Sequence, residues 1–257
     1  MLRLAFLLVV LAIGGAARPA DAEQLVVSLS NQRVAITSNF IGEQLVLFGT
    51  IEPTAGAALR PSYDLVVTVV GPRQTLRTRR KQRVLGIWVN VDSREFLRVP
   101  VYLAILSNRP VAQIAPPDTL RRLQIGLANF LLTQRIGPDI ADTVSDDPFR
   151  KAFVHLQGDH GLYSEAGNAV TFLTPAVFRA TIALPADAPV GPYPIDVKLF
   201  ADGKLAARTN TALQVTKAGF EQYVADAARD HGLLYGFTTM FMALLTGWFA
   251  SVVFRRD

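Results

Sequence analysis

The sequence predicts a mainly β protein: an immunoglobulin-like β-sandwich region, or two, with a helical insert and one C-terminal transmembrane helix. Three observations predict it. Short runs rich in Val, Leu and Ile recur between turn residues in both halves of the chain. Residues 116–160 interrupt that rhythm with helix signals, and the final uncharged stretch is long enough to cross a bilayer. The 257 residues are 50% hydrophobic and only 18% charged, and there is no Cys. That composition excludes a disordered chain, a disulfide scaffold, a thiol enzyme and a Cys-ligated metal site.

The chain opens as an export signal. Arg3 supplies a positive start, Leu4–Ile13 a ten-residue apolar core, and Ala20-Asp21-Ala22 a small-residue cleavage site. Residues 1–22 are therefore expected to be removed, because ten apolar residues fall short of the roughly 20 that a span needs. The other end is different. Leu233–Phe254 carries no charge and is followed at once by Arg255-Arg256-Asp257. Only a helix satisfies its own backbone in lipid, so 233–254 reads as a transmembrane helix with 255–257 as a cytoplasmic tail.

The body between these ends divides into 23–115, a first β-sandwich region; 116–160, a helical connector; 161–217, a second β region; and 218–232, a juxtamembrane segment. The first region has strand patterns at Gln24–Leu29, Arg33–Asn39, Gln44–Glu52, Leu65–Val70 and Leu97–Leu106. Gln44–Glu52 is apolar at both parities and is expected to be buried on both faces. The connector offers one helix after Pro116-Pro117, with Leu120, Leu123, Leu127, Phe130 and Leu131 on one face. A second is signalled by Asp147-Pro148 and by Phe149, Phe153 and Leu156. Strand patterns return at Ala169–Leu173, Phe178–Leu184, Tyr193–Phe200 and Leu205–Thr216. Tyr193 follows a Pro-rich corner, where a tyrosine hydroxyl can bond upstream backbone. Asp202-Gly203 is a hairpin turn signal. Two sandwich modules joined by the connector are the expected arrangement.

Charge is concentrated. The formal net charge is +5, of which +3 belongs to the exported body. Arg73, Arg77, Arg79, Arg80, Lys81 and Arg83 contribute +6, leaving −3 elsewhere in that body. In an extended Thr75–Arg83, the alternation of side chains puts Arg77, Arg79, Lys81 and Arg83 on one face. These four are the candidate binding residues, for an anionic headgroup, an anionic solute or an acidic partner. The competing reading is a solvated hairpin that protects a sheet edge. The same parity continues as Leu85, Ile87, Val89 and Val91, so a turn near Lys81–Arg83 or a bulge at Gly86 is expected. Trp88, set within Val-Leu-Gly-Ile-Trp-Val, reads as a core aromatic. An exported address leaves nucleic acid outside the expected partners.

Two further patterns bear on partners and metals. Thr239, Ala243, Gly247 and Ser251 recur every four residues along the span, a small-residue stripe that suits close packing against another helix. A single-span chain has no second helix of its own, so the stripe points to a homodimer or a multi-span partner. His155, Asp159 and His160 form the one weak alternative for a metal, although two His five positions apart do not have the spacing that aligns two ligands on a helix. The sequence has no G-x-S-x-G, H-E-x-x-H, P-loop or G-x-G-x-x-G pattern. The expectation is no catalytic residue, no cofactor and no enzymatic role.

Three stretches carry a family likeness: Gly71-Pro72 followed by Arg80-Lys81-Gln82-Arg83-Val84-Leu85-Gly86-Ile87-Trp88-Val89-Asn90; Leu184–Phe200 with Asp202-Gly203; and Tyr235-Gly236 with Gly247-Trp248-Phe249-Ala250 and Phe254-Arg255-Arg256. Together they resemble an alphaproteobacterial family of transmembrane proteins, over nearly the whole mature chain. The resemblance implies an exported, single-span protein without an assigned activity, and some members are encoded near permeases similar to sulfite exporters. The resulting expectation is a single-pass inner-membrane protein with a periplasmic body and a cytoplasmic C-terminus. It would act as an accessory or scaffold contacting a membrane partner such as a transporter; the alternative is a free-standing solute- or surface-binding module, and the least favoured reading is a metal-dependent enzyme using the His155–His160 loop.

Overall fold

The computed structural model describes residues 23–53, 60–136, 139–219, 223–224 and 228–254. The stretch expected to be an export signal, the Arg255-Arg256 tail and part of the juxtamembrane segment lie outside the described residues. In chain order the strands are β1 (Gln24–Leu29), β2 (Arg33–Ile36), β3 (Glu43–Glu52), β4 (Asp64–Val70), β5 (Arg73–Val84), β6 (Ile87–Pro100) and β7 (Leu103–Ser107). A 3-10 turn (Val111–Gln113), α1 (Pro117–Arg122), β8 (Thr133–Ile136), β9 (Asp139–Asp142) and α2 (Pro148–Asp159) follow. Then come β10 (Tyr163–Ala166), β11 (Val170–Phe172), β12 (Val177–Leu184), β13 (Gly191–Ala201), β14 (Lys204–Lys217) and α3 (Gly232–Val253).

Two sheets form the sandwich, in the orders β1-β3-β12-β11 and β10-β7-β4-β13-β14-β2. Their inner faces share one apolar core, with Leu45, Leu47, Phe178 and Ile182 from the first sheet and Val67, Val69, Ile195 and Val197 from the second. β12 reads alternately exposed and buried along its length, the signature of a strand covered on one face. β4 is buried on both, with Leu65, Val67 and Val69 on one face and Val66 and Thr68 on the other. The connector residues Val111, Ile114, Leu120 and Ile125 belong to the same core.

This topology corrects the two-module expectation. β3 pairs with β12 over eight residues and β4 pairs with β13, so strands of 23–115 and 161–217 interleave in both sheets. Neither region could close a core alone; they are halves of one sandwich. The connector also carries a hairpin, β8–β9, that extends a third sheet of order β5-β6-β8-β9.

Several local expectations need adjustment. β3 buries Leu45, Leu47 and Ile51 but leaves Phe48 46% exposed, so only one of its faces is covered. Small size explains the inner approach at Gly49, where a Cβ would lie 2.3 Å from the Phe178 ring. The first connector helix stops at Arg122, because Gln124 and Gly126 take positive φ of 53° and 98°. The second starts as expected, with the Asp147 carboxylate accepting from the backbone N–H groups of Phe149 and Arg150 at 2.8 and 3.0 Å. The run Leu97–Leu106 is split at Val101-Tyr102 between β6 and β7.

α3 is 22 residues long, about 33 Å at 1.5 Å per residue. That matches a hydrocarbon core of roughly 30 Å. None of its residues is buried by the rest of the chain.

A candidate docking hairpin

The ladder between β4 and β7 does not end with the sandwich. Val70 pairs with Leu103, the Gly71 N–H donates to the Tyr102 carbonyl at 2.8 Å, the Val101 N–H donates to Pro72 at 2.9 Å, and Arg73 pairs with Pro100. The same two strands thus continue as β5 and β6 up to Val84 opposite Ile87. Gly71 is required at this junction, since a Cβ would come within 2.8 Å of Tyr102 Cβ and 3.1 Å of the Tyr193 ring.

The root of the hairpin is braced. Three buried tyrosines donate to backbone carbonyls around it: Tyr102 to Ala183 at 2.7 Å, Tyr163 to Pro100 at 2.7 Å and Tyr193 to Pro189 at 2.6 Å. The last is the tyrosine-corner contact expected from the sequence. Burial pushes all three phenol pKa values upward, so each stays a neutral donor. On β6, Phe96 stacks on Phe153 of α2 at 4.6 Å between ring centres, and the Arg94 guanidinium lies 4.8 Å from the Phe149 ring. α2 is itself locked by Arg150, a buried guanidinium donating to Thr143 Oγ1 and to the carbonyls of Leu127, Ala128 and Phe130 at 2.8–3.1 Å. Burial lowers the Arg150 pKa.

Beyond Thr78 on β5 and Phe96 on β6 no residue of the hairpin is buried. Six further residues of β5 project past Thr78, roughly 20 Å at 3.4 Å per residue. The register assigns the faces. Arg77 lies opposite Glu95, Arg79 opposite Ser93, Lys81 opposite Asn90 and Arg83 opposite Trp88, so the four predicted cations share one face. Arg80 and Asp92 pair on the other, together with Gln82/Val89 and Val84/Ile87. Arg77 reaches Glu95 at 3.6 Å, and Arg135 of β8 reaches the same carboxylate at 3.2 Å. The Arg83 Nε donates to the Gly86 carbonyl at 3.2 Å. Arg79, Arg80 and Lys81 make no ion pair among the described residues.

The turn falls later than the sequence suggested. It is Leu85-Gly86, with φ of 49° and 87°, the two positive values that a two-residue type I′ hairpin requires. The bulge lies opposite Arg80/Lys81, where Val91 is the extra residue. The chain reverses at Leu85-Gly86, so Ile87 and Val89 do not continue the cationic face; Trp88 does. Trp88 is not in the core. It is 70% exposed, Ile87 is 66% exposed and Leu85 fully so. Leucine is a poor choice for a left-handed position, at a cost of about 1–2 kcal/mol. From sequence Trp88 reads as a core aromatic because nothing in its apolar surroundings marks where the sandwich stops.

The other predicted sites are also placed. Thr239, Ala243, Gly247 and Ser251 all lie on α3, and a Cβ at Gly247 would meet nothing within 4 Å. The Thr239 hydroxyl donates back to the Tyr235 and Gly236 carbonyls at 3.0 Å, so it is satisfied within its own helix. His155 Nε2 lies 3.6 Å from Asp159 Oδ2, an exposed pair one helical turn apart. His160 caps the end of α2 through its backbone N–H. Among the described residues no three His, Asp or Glu side chains come together as metal ligands, so the weak alternative at His155, Asp159 and His160 gains no support.

The hairpin and the route to α3 leave the sandwich at one pole. β13 begins at Gly191, which pairs with Val215 near the end of β14. A Cβ on Gly191 would lie 2.6 Å from Pro72, the residue before β5. Lys217, after which the chain runs on to α3, is two residues beyond Val215.

A one-sandwich body followed by an apolar helix of membrane-crossing length defines a β-rich protein with one candidate membrane span among the described residues. The chain belongs to the family described as "Putative transmembrane protein (Alph_Pro_TM)", whose match runs over residues 24–256. No curated protein matches the sequence. Among solved structures it is similar to AggA, the major subunit of aggregative adherence fimbriae type I from Escherichia coli, at 9% identity and a TM-score of 0.26, over 79% of this chain and 99% of that one. A likeness that slight carries no argument.

Proposed function

We propose that this protein is a non-enzymatic accessory or scaffold of the inner membrane. Its sandwich faces the periplasm, its C-terminus is cytoplasmic, and it contacts a membrane partner, either a multi-span protein such as a transporter or a second copy of itself. The observation that carries the reading is the shared pole: the projecting hairpin is rooted beside the strand that leads to α3. An arm rooted there leaves the sandwich at the pole from which the chain runs on to α3. The small-residue stripe Thr239, Ala243, Gly247 and Ser251 supports close helix packing as the second contact. The orientation is supported by the basic pair after the span and by the export signal, and the absence of an enzymatic role rests on the missing sequence motifs.

Pull-down of the full chain after gentle detergent extraction tests the proposal. A stoichiometric membrane protein, lost when Gly247→Leu crowds the stripe, is the expected result. Recovery of the chain without any such partner, or as a monomer that Gly247→Leu leaves unchanged, would favour the free-standing binding module. A reporter fused after Asp257 that is active only outside the cytoplasm would overturn the orientation.

A further inference from the structure

We infer that the tip of the β5–β6 hairpin inserts into the headgroup layer of an anionic bilayer, as a second membrane contact besides α3. The inference deepens the preceding proposal and rests on its reading of α3 as a membrane tether, but it names lipid, not protein, as what the tip touches.

The tip is built from two chemistries in the order a bilayer surface presents them. The last three cross-strand pairs and the turn hold Val84, Leu85, Ile87, Trp88 and Val89, all exposed. Lys81 and Arg80 follow, roughly 14 and 17 Å from Leu85 by strand rise, and Arg79 is one residue further. Apolar groups that enter an interface lie about 5–10 Å deep, with cations held at the level of the phosphates. Arg83, opposite Trp88, can extend its charged head back toward that level, as long cationic side chains do at interfaces.

Shape points the same way. The apolar side chains are spread over both faces and the end of a two-stranded ribbon: Val84, Ile87 and Val89 on one face, Trp88 on the other, Leu85 at the end. A protein pocket would cover one face. A fluid layer surrounds all of them. Charge complementarity selects an anionic layer, because Arg79, Arg80 and Lys81 have no carboxylate partner among the described residues. Leu85 adds an argument from cost. A fully exposed leucine held at φ 49° gains nothing from folding, at a turn position that Asn or Gly fills more easily.

The bilayer is within reach. β14 ends at Lys217 and α3 begins at Gly232, and the residues between, 218–231, span at most about 50 Å when fully extended. The hairpin leaves from the same pole as that connection.

The chain has only two tryptophans, Trp88 and Trp248, which makes the test direct. The full chain carrying Trp248→Phe, with Trp88 as its sole indole, is reconstituted into vesicles of brominated phosphatidylcholine alone or mixed equally with brominated phosphatidylglycerol. In the anionic vesicles the Trp88 emission should shift to the blue and lose most of its intensity to bromine. Replacing Arg79, Arg80, Lys81 and Arg83 by Gln should abolish both effects. Leu85→Asn, which suits the turn and so preserves the hairpin, should reduce them. A water-like, unquenched Trp88 in anionic vesicles would overturn the inference and leave the tip to a protein partner. A shift that follows protein density but ignores lipid charge would overturn it in favour of a second copy. The Trp88→Phe chain separates the two claims: Trp248 then reports whether α3 is in the membrane, whatever the tip does.

Discussion

The sandwich and the hairpin are made from the same pair of strands, yet they obey opposite rules. From Asp64 to Val69 the first strand is buried, and its partner β7 is buried throughout. Past Gly71-Pro72 the same ladder carries cations, and past Thr78 it buries nothing. Inside the sandwich, backbone pairing is one contribution beside a large apolar one. Outside it, pairing and the braced root are all that hold the ribbon in place. A long ladder therefore does not imply a long core; a ribbon can be lifted away from its sheet when its root is fixed by side chains such as Tyr102, Tyr163 and Phe96.

The comparison sharpens into four expectations, and thermal unfolding of the full chain in detergent, followed by near-UV circular dichroism, measures them. The largest effect belongs to the sandwich. Phe178→Ala removes a fully buried ring that covers Gly49 and meets Phe172, and should destabilise by about 3–5 kcal/mol. Arg150→Met comes next. It strands the carbonyls of Leu127, Ala128 and Phe130, and a loss of about 2–3 kcal/mol is expected as the support beneath the hairpin root loosens. Tyr193→Phe deletes one hydroxyl donor and should cost about 1 kcal/mol. The smallest effects belong to the tip: Arg79→Gln with Lys81→Gln should stay within about 0.5 kcal/mol, because the side chains are exposed. A tip substitution as damaging as Phe178→Ala would erase the contrast between the two regions.

The tyrosines add a pH dependence at the junction. Tyr102, Tyr163 and Tyr193 have phenol pKa values raised by burial above the unfolded value near 10. Above that pH the folded state holds protons that the unfolded state has released. Stability is therefore fully present below about pH 10 and falls as pH rises beyond it. A midpoint that rises between pH 10 and 11 would contradict the role given to these hydroxyls.

Much of the fold was legible. Alternation and turn residues identified most strands, Asp147-Pro148 the start of α2, and Tyr193 its corner bond. What could not be read was which strands meet. β3 with β12 and β4 with β13 join residues more than a hundred positions apart, and nothing local encodes such pairings. β8, β9 and β10 were missed because each is a four-residue polar stretch without the apolar run that marks the equally short β2. At the hairpin, strand parity put Arg77, Arg79, Lys81 and Arg83 on one face correctly. Trp88 was misjudged for a physical reason: an apolar run beside a Gly looks the same whether it fills a core or protrudes from one. The positive φ of Leu85 and Gly86 and the exposure of Trp88, which only the folded chain supplies, settle the matter.

Because the chain contains no cysteine, Leu85→Cys gives a single position for a spin label in the full protein reconstituted with phosphatidylglycerol. Leu205→Cys, in the half-exposed β13–β14 hairpin, serves as the reference. The account predicts that the label at 85 relaxes more strongly with dissolved oxygen than with a water-soluble nickel complex, while the label at 205 does the reverse. Equal access of the nickel complex to both positions would contradict it.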